Sequence, residues 1–319
     1  MKAAIVLEAG KTPVYGDFKD PVPVGGEVLV TVSAAALSNL TKGRASGTHY
    51  SATGRPPFVV GVDGVGRLAD GRRVYFVLPR APFASMAEKT VVVPSQCVSL
   101  PDDLDDVTAA AIANPGMSAW AALKERAKFK AGESVLVNGA TGSAGRIAIQ
   151  IAKYMGARRV IATGRNIDAL KALSALGADV TIPIGDGGDA FEEAMKDQFG
   201  GVGIDVVLDY LWGPSAERIL IAGAKAGKEA VPIRFVQIGS MSAPNITLPS
   251  AVIRATAITV MGSGIGSVSM DGLVGSIGEL MKAANPGSFK IATKTFPLSD
   301  VERVWADTSS SARIVFQIP

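Results

Sequence analysis

The sequence predicts an α/β protein in which a six-stranded, doubly wound parallel sheet is inserted into an irregular β-barrel domain. Three observations carry that prediction. Residues 135–156 read as strand, glycine turn and helix, with Ile147, Ala148, Ile151, Ala152 and Met155 on one helical face. Five more strand-like runs follow at roughly the thirty-residue βαβ repeat, at Val160–Thr163, Val180–Ile184, Ile204–Leu208, Phe235–Ile238 and Ile258–Met261. Residues 1–113 and 264–319 have a different grammar, with short alternating strands and many glycine and proline turns.

In chain order, Lys2–Leu7 and Glu27–Ala34 read as strands joined through the Pro/Gly-rich stretch Pro21–Gly26. Val65–Leu68 and Arg73–Leu78 flank Ala69-Asp70-Gly71-Arg72, where Asp-Gly signals a hairpin. Met86–Val93 gives another strand, and a partly open barrel buries such strands best. Asp105–Ile112 and Met117–Ala127 are expected as two helices leading to residues 114–263, the dinucleotide-type domain. Within it, helices are expected near Ile167–Leu176, Asp189–Gln198, Ser215–Ala222 and Pro249–Ala255. After the glycine-rich link Gly262–Gly266 come a helix near Leu273–Ala283 and strands near Lys290–Thr295 and Arg313–Ile318, read as a return to the first domain.

Composition narrows the chemistry. With 48% hydrophobic and 19% charged residues in 319, the chain is a folded globular protein of about two domains. A net charge of +3 with no basic block argues against a nucleic-acid partner. The apolar run of Met1–Leu7 stops at Glu8, too short for a signal peptide, and no span of membrane length follows, so a cytoplasmic protein without a membrane partner is expected. One cysteine, Cys97, leaves no intrachain disulfide. That cysteine and the single histidine, His49, cannot supply the usual ligand set of a zinc site, and no G-x-S-x-G stretch offers a serine nucleophile. Metal-free chemistry carried by a cofactor is what remains.

The turn Gly139-Ala140-Thr141-Gly142-Ser143-Ala144-Gly145 is where that cofactor is expected. Ala140 replaces the first glycine of the usual G-x-G-x-x-G. Gly142 lets backbone approach a pyrophosphate, the N–H groups of Ser143 and Ala144 open the helix toward its charge, and Gly145 permits tight packing. The second strand ends Thr163-Gly164-Arg165-Asn166, without the acid that binds a free ribose 2′-OH. Arg165 offers a planar fork for a 2′-phosphate instead, which predicts NADPH over NADH. Ligands sit at the carboxyl ends of such strands. Tyr210, Ile238-Gly239-Ser240 and Gly262-Ser263 stand there after the fourth, fifth and sixth strands.

Several stretches together resemble the zinc-independent medium-chain dehydrogenase/reductases, near the NADPH:quinone reductases (the zeta-crystallin-like group). They are Pro56–Gly66, Val91–Pro94, Gly116–Leu123 and Val135–Gly145. In zinc-bearing relatives a metal-binding histidine stands where this chain has Val62. The resemblance implies a GroES-like barrel around the Rossmann domain, and hydride transfer from NADPH to a quinone or similar electron-poor enone. It also implies that Gly239-Ser240, Gly262-Ser263 and Ser118 lie near the nicotinamide. Ser38 and Thr41 align with a polar Asn and Asp of that group. Tyr50 matches in spacing a tyrosine that donates a proton or hydrogen bond in related enoyl-thioester reductases. Tyr50, Ser38 and Thr41 are therefore the catalytic candidates. Reduction of an enoyl thioester or alkenal through Tyr50, and non-catalytic binding of NADPH, stand as alternatives. The resemblance further implies a homodimer paired at the sheet edge near Ala257–Met261.

Overall fold

A computed structural model describes residues 1–52, 54–186, 188–307 and 312–319. The chain divides into two compact units, residues 1–114 with 270–319, and residues 115–269.

The first unit begins with β1 (Lys2–Val6), β2 (Val14–Asp17), β3 (Val28–Ala36), helix α1 (Asn39–Ser46), β4 (Phe58–Val59), β5 (Asp63–Leu68), β6 (Arg73–Val77), β7 (Lys89–Val92) and β8 (Cys97–Ser99). β5 and β6 form the expected hairpin: Gly71 takes φ +86°, and Arg72 N donates to Asp70 Oδ1 at 3.1 Å. Helix α2 (Asp106–Ala121) carries the chain from the first unit into the second. Two helices broken at Asn114-Pro115 were expected there, but the helix is continuous with Pro115 inside it. Proline removes one backbone donor; Ala109–Ala113 are fully buried, and that packing holds the helix through the gap. A π-helical turn follows at Ala122–Arg126.

In the second unit β9 (Ser134–Asn138), α3 (Ser143–Tyr154), β10 (Arg159–Gly164), α4 (Ile167–Lys171), β11 (Val180–Pro183), α5 (Asp189–Gly200), β12 (Val206–Asp209), α6 (Gly213–Ala226), β13 (Ile233–Gln237), α7 (Ser250–Ala255) and β14 (Ile258–Gly262) alternate. Their strands form one six-stranded sheet in the order β11-β10-β9-β12-β13-β14, all pairs parallel. The order reverses between β9 and β10 on one side and β12 on the other, the switch point at which ligand crevices open in such sheets. Leu136, Ile161, Val207 and Phe235 form the buried centre with Ile219 and Leu220 of α6.

The chain then returns to the first unit through α8 (Met270–Ala283), β15 (Thr293–Pro297), α9 (Val301–Val304) and β16 (Arg313–Gln317). A seven-stranded sheet runs β15-β16-β3-β5-β6-β8, with β7 also on β3, and a three-stranded sheet runs β2-β1-β4. Phe76, Met86, Phe316, Val30 and Val301 fill the barrel core. Residues 308–311, just before β16, lie outside the described residues. No described helix is long and apolar enough to cross a membrane.

Candidate functional site

In the second unit the site is built from strand ends. β9 stops at Asn138, and the chain turns at Gly139 with φ +89°. Ala140 N donates to the Thr163 carbonyl at 2.8 Å, tying the turn to β10. Helix α3 begins at Ser143 with Gly142 as its N-cap and no side-chain capping bond, so its first N–H groups are open to an external acceptor. The glycines divide the labour. A Cβ on Gly145 would lie 2.5 Å from Ala140 Cα and 2.6 Å from the Gly139 carbonyl oxygen, both backbone atoms that cannot give way. At Gly142 a Cβ would meet nothing nearer than the Gly139 oxygen at 3.9 Å. The protein does not need a glycine at 142 for its own packing; the bare, exposed backbone suits a pyrophosphate. Thr141 lies against Gly164, whose Cβ would approach its Cγ2 to 2.6 Å. Sequence reading did not identify Arg146, whose Nε donates to the Thr141 carbonyl at 3.0 Å and stiffens the turn.

Beneath the turn lies a buried polar network that the sequence reading missed. Asn138 Nδ2 donates to Asp209 Oδ1 at 2.7 Å and to Ser215 Oγ at 3.0 Å, while Thr163 Oγ1 donates to Asn138 Oδ1 at 2.7 Å. It joins the carboxyl ends of β9, β10 and β12 in one unit. Asp209 also accepts from Leu211 N at 3.1 Å and from Trp212 N at 3.1 and 3.2 Å. Burial pushes the Asp209 carboxyl up to about 6 against the pull of these donors. They hold Trp212 at φ +57°, ψ −163°, a region nearly reserved for glycine and costing ~1–3 kcal/mol. The signal available in sequence was an Asn and an Asp closing two apolar strands, polar residues where the runs should end.

The remaining expected positions divide. Arg165 is exposed directly after β10, and among the described residues it makes no hydrogen bond or ion pair, leaving its fork open for an anion. Asn166 caps α4, accepting from Ala169 N at 2.9 Å. Thr163 is fully buried with its hydroxyl turned into the network, so its side chain supports the site from below. Tyr210 is buried; burial pushes its phenol up, the Ser118 hydroxyl draws it back, and its oxygen completes no hydrogen bond among the described residues. Ser118 itself donates to the Pro115 carbonyl at 2.7 Å. Ile238 and Gly239 donate their N–H groups to the Asp209 carbonyl at 2.8 and 3.1 Å, which places the β13 end beside that of β12. Ser240 and Gly262 are exposed, and Ser263 is buried with its N–H on the Gln237 carbonyl at 2.8 Å. Arg126, from the π-helical turn, donates from Nε to the Gly262 carbonyl at 2.7 Å. A bare turn, an orphaned buried phenol and an unpaired guanidinium fit a phosphorylated dinucleotide.

In the barrel unit the structure brings two of the three catalytic candidates together at the start of α1. Ser38 is the N-cap of α1: Thr41 N donates to its Oγ at 2.9 Å, and the two hydroxyls share a 2.9 Å hydrogen bond. Both side chains are buried, and their hydrogen bonds cap the start of α1. Helix α1 has almost no apolar periodicity, so only its bracket of Ser38 and a left-handed Gly47 marks it in the sequence. Tyr50 is 72% exposed beyond α1, its ring 4.3 Å from that of His49. His49 Nδ1 and Ser51 Oγ lie 2.9 Å apart.

The comparisons with known proteins follow this geometry. The family description "zinc-binding dehydrogenase" matches residues 144–278. A probable NADPH-dependent quinone reductase of Emericella nidulans is 30% identical over 365 aligned positions, covering 100% of both chains. The 2-haloacrylate reductase of a Burkholderia species is 29% identical over 78% of this chain and 80% of its own. The quinone oxidoreductase of Thermus thermophilus, solved also with NADPH, superposes with TM-score 0.81 at 27% identity over 99% of this chain and 100% of its own. A mycobacterial quinone oxidoreductase has the same fold, with TM-score 0.85 at 22% identity over 99% of each chain. The zinc in the family description does not fit these residues. Val62 is a buried aliphatic, burial pushes the Cys97 thiol up to about 11, and no metal-binding group of three or more His, Cys, Asp or Glu occurs among the described residues. The chain belongs to the zinc-independent medium-chain dehydrogenase/reductases, in the quinone reductase group.

Proposed function

We propose that this chain is an NADPH-dependent reductase that delivers a hydride to a quinone or a similar electron-poor enone without a metal. The observation that carries the reading is the bare Gly142 turn, followed at the next strand end by an exposed Arg165 with no ion pair among the described residues. NADPH, when bound, supplies the hydride; the protein binds, orients and shields. The α3 N–H groups would hold the pyrophosphate and Arg165 the 2′-phosphate, worth ~1.5–3 kcal/mol for hydrogen bonds to a charged group. Tyr210, Gly239, Gly262 and Ser263 would border the nicotinamide, with Arg126 fixing the Gly262 carbonyl. A quinone suits such a site because its reduced oxyanion is delocalised and takes its proton from solvent, so no strong protein acid is required. The names of the Emericella and Thermus relatives support the same reading.

The test is a steady-state screen of NADPH oxidation with quinones and enones. Turnover with a quinone that is unchanged in Tyr50→Phe is the expected result, and no turnover with any acceptor points to a non-catalytic NADPH-binding protein. A second reading has the acceptor as an enoyl thioester or alkenal, with Tyr50 as donor; the name of the Burkholderia relative favours a conjugated C=C. Loss of activity confined to those acceptors in Tyr50→Phe would establish it. Two coarser elements complete the proposal. A homodimer would pair at β14, the sheet edge where Thr259 and Val260 are exposed. A cytoplasmic home agrees with the single cysteine.

A further inference from the structure

Arg44 stands in the last turn of α1, where the helix dipole alone favours a cation. The dipole does not account for its surroundings. Arg44 and Thr41 are the polar side chains of a pocket in the barrel unit whose other walls include Phe58, Val62, Leu78 and Phe83. The Thr41 hydroxyl is already bonded to Ser38. Arg72, Arg73, Arg80 and Arg303 of the same unit each sit against a carboxylate. Arg44 has no such partner among the described residues, where its guanidinium makes one hydrogen bond, from Nη1 to Ser51 Oγ at 3.3 Å. Burial lowers its pKa with no opposing charge to offset the cost, and its own charge helps hold His49 below the usual range after burial has done most of that. A half-buried guanidinium in an apolar pocket is half of an ion pair.

We propose that this pocket takes the anionic end of the acceptor, and that the substrate is an electron-poor enone or quinone carrying a carboxylate on an apolar body, with Arg44 selecting it. The inference rests on the chain being a reductase of the kind proposed above. A planar fork matches a carboxylate bidentately, and one positive charge balances one negative charge where a phosphate would bring nearly two. For an enone the step balances simply. With NADPH bound as the donor, hydride would add at the β-carbon, the C=C π pair would become the Cα–carbonyl double bond of an enolate as the C=O π pair moves to oxygen, and a solvent proton on Cα would complete the saturated ketone, leaving NADP⁺.

A matched pair of acceptors tests the assignment: 4-oxo-4-phenylbut-2-enoate and its methyl ester, assayed with the wild-type chain, Arg44→Met and Arg44→Lys. The wild type is expected to favour the acid by about tenfold or more in kcat/KM, the ratio to fall to about one in Arg44→Met, and Arg44→Lys to keep part of it. A helix-stabilising role alone would move both substrates together. The saturated acid, 4-oxo-4-phenylbutanoate, is titrated calorimetrically in parallel, since it binds without turnover. Binding weakened about tenfold in Arg44→Met supports the carboxylate pocket even if no acceptor is reduced, in which case the reductase reading and the acceptor assignment fail together and only the carboxylate site at Arg44 stands. An unchanged acid-to-ester ratio in Arg44→Met, or no binding of the saturated acid to the wild type, overturns it.

Discussion

The two units of this chain carry their sites in different currencies. In residues 115–269 the features that suit a cofactor are mostly backbone: a glycine turn, open helix N–H groups and strand ends, arranged by six parallel strands in one register-locked sheet. In residues 1–114 with 270–319 the candidates are side chains on a short helix and its flanking turn, and their hydroxyls are engaged with each other. Backbone features follow from where glycine is placed and survive substitution around them. Side-chain features depend on which way each residue faces, and a single change of type reassigns them. The contrast says that the nucleotide half should fail through its supports, and the barrel half through its contacts.

The largest expected effect is at the polar network. Asp209→Ala removes the acceptor for Asn138, Leu211 and Trp212 together and leaves buried donors and a strained Trp212 behind. A loss of ~3–5 kcal/mol, the scale of breaking a buried charged network, should show as a lowered denaturant midpoint. A change under ~1 kcal/mol would mean that the strand ends hold themselves.

Both units contain a buried carboxyl pushed up to about 6, Asp209 in one and Asp63 in the other. Burial dominates at Asp63, opposed by Arg313 and by the 2.8 Å hydrogen bond from Tyr75. Since the folded state holds these protons more tightly than the unfolded chain near 3.8, stability is greatest below about pH 4 on this count and falls as pH rises toward 6. Each group would contribute roughly 3 kcal/mol, at 1.36 kcal/mol per pKa unit. Urea titrations between those pH values should show the fall, and Asp63→Asn should remove about half of it, leaving the part due to Asp209; stability that climbs steadily in the wild type and ignores that substitution contradicts the assignment.

A pair of glycine variants separates fold from site within one turn. Gly145→Ala should cost ~1–3 kcal/mol by overpacking against backbone. Gly142→Ala, with room for its methyl, should keep the melting temperature and lose NADPH affinity. Equal melting temperatures for the two would erase the distinction. The smallest effect belongs to the barrel: Ser38→Ala should cost ~1 kcal/mol as a lost helix cap, with turnover following stability and no more. A collapse of kcat at unchanged stability would restore Ser38 to the chemistry.

Much of this was legible beforehand, for a physical reason. The βαβ rhythm is written in apolar runs that must be buried on both faces, and each predicted strand of the second unit lies within two residues of an observed one at its start. Gly142 and Gly145 could be assigned singly because their causes differ: Gly145 excludes a Cβ against backbone, while Gly142 has room for one and leaves its backbone bare for a ligand. The Asn138–Asp209–Thr163 network was not legible, because its members are 25 to 71 residues apart and meet only when the sheet forms. Pro115 read as a helix break because local propensity argues for one; burial of Ala109–Ala113 overrode it. Ser38 and Thr41 were legible as a polar pair but not as a cap, and the unpaired state of Arg44 exists only in three dimensions.

The central claim is that the second unit grips a phosphorylated dinucleotide through Arg165, and fluorescence titrations of the wild type and Arg165→Ala with NADPH and NADH test it most directly. The account predicts NADPH bound about ten- to a hundredfold more tightly than NADH, with that preference abolished in Arg165→Ala while NADH binding and the melting temperature stay where they were. Equal affinity for the two dinucleotides in the wild type, or a preference that survives the loss of Arg165, would contradict it.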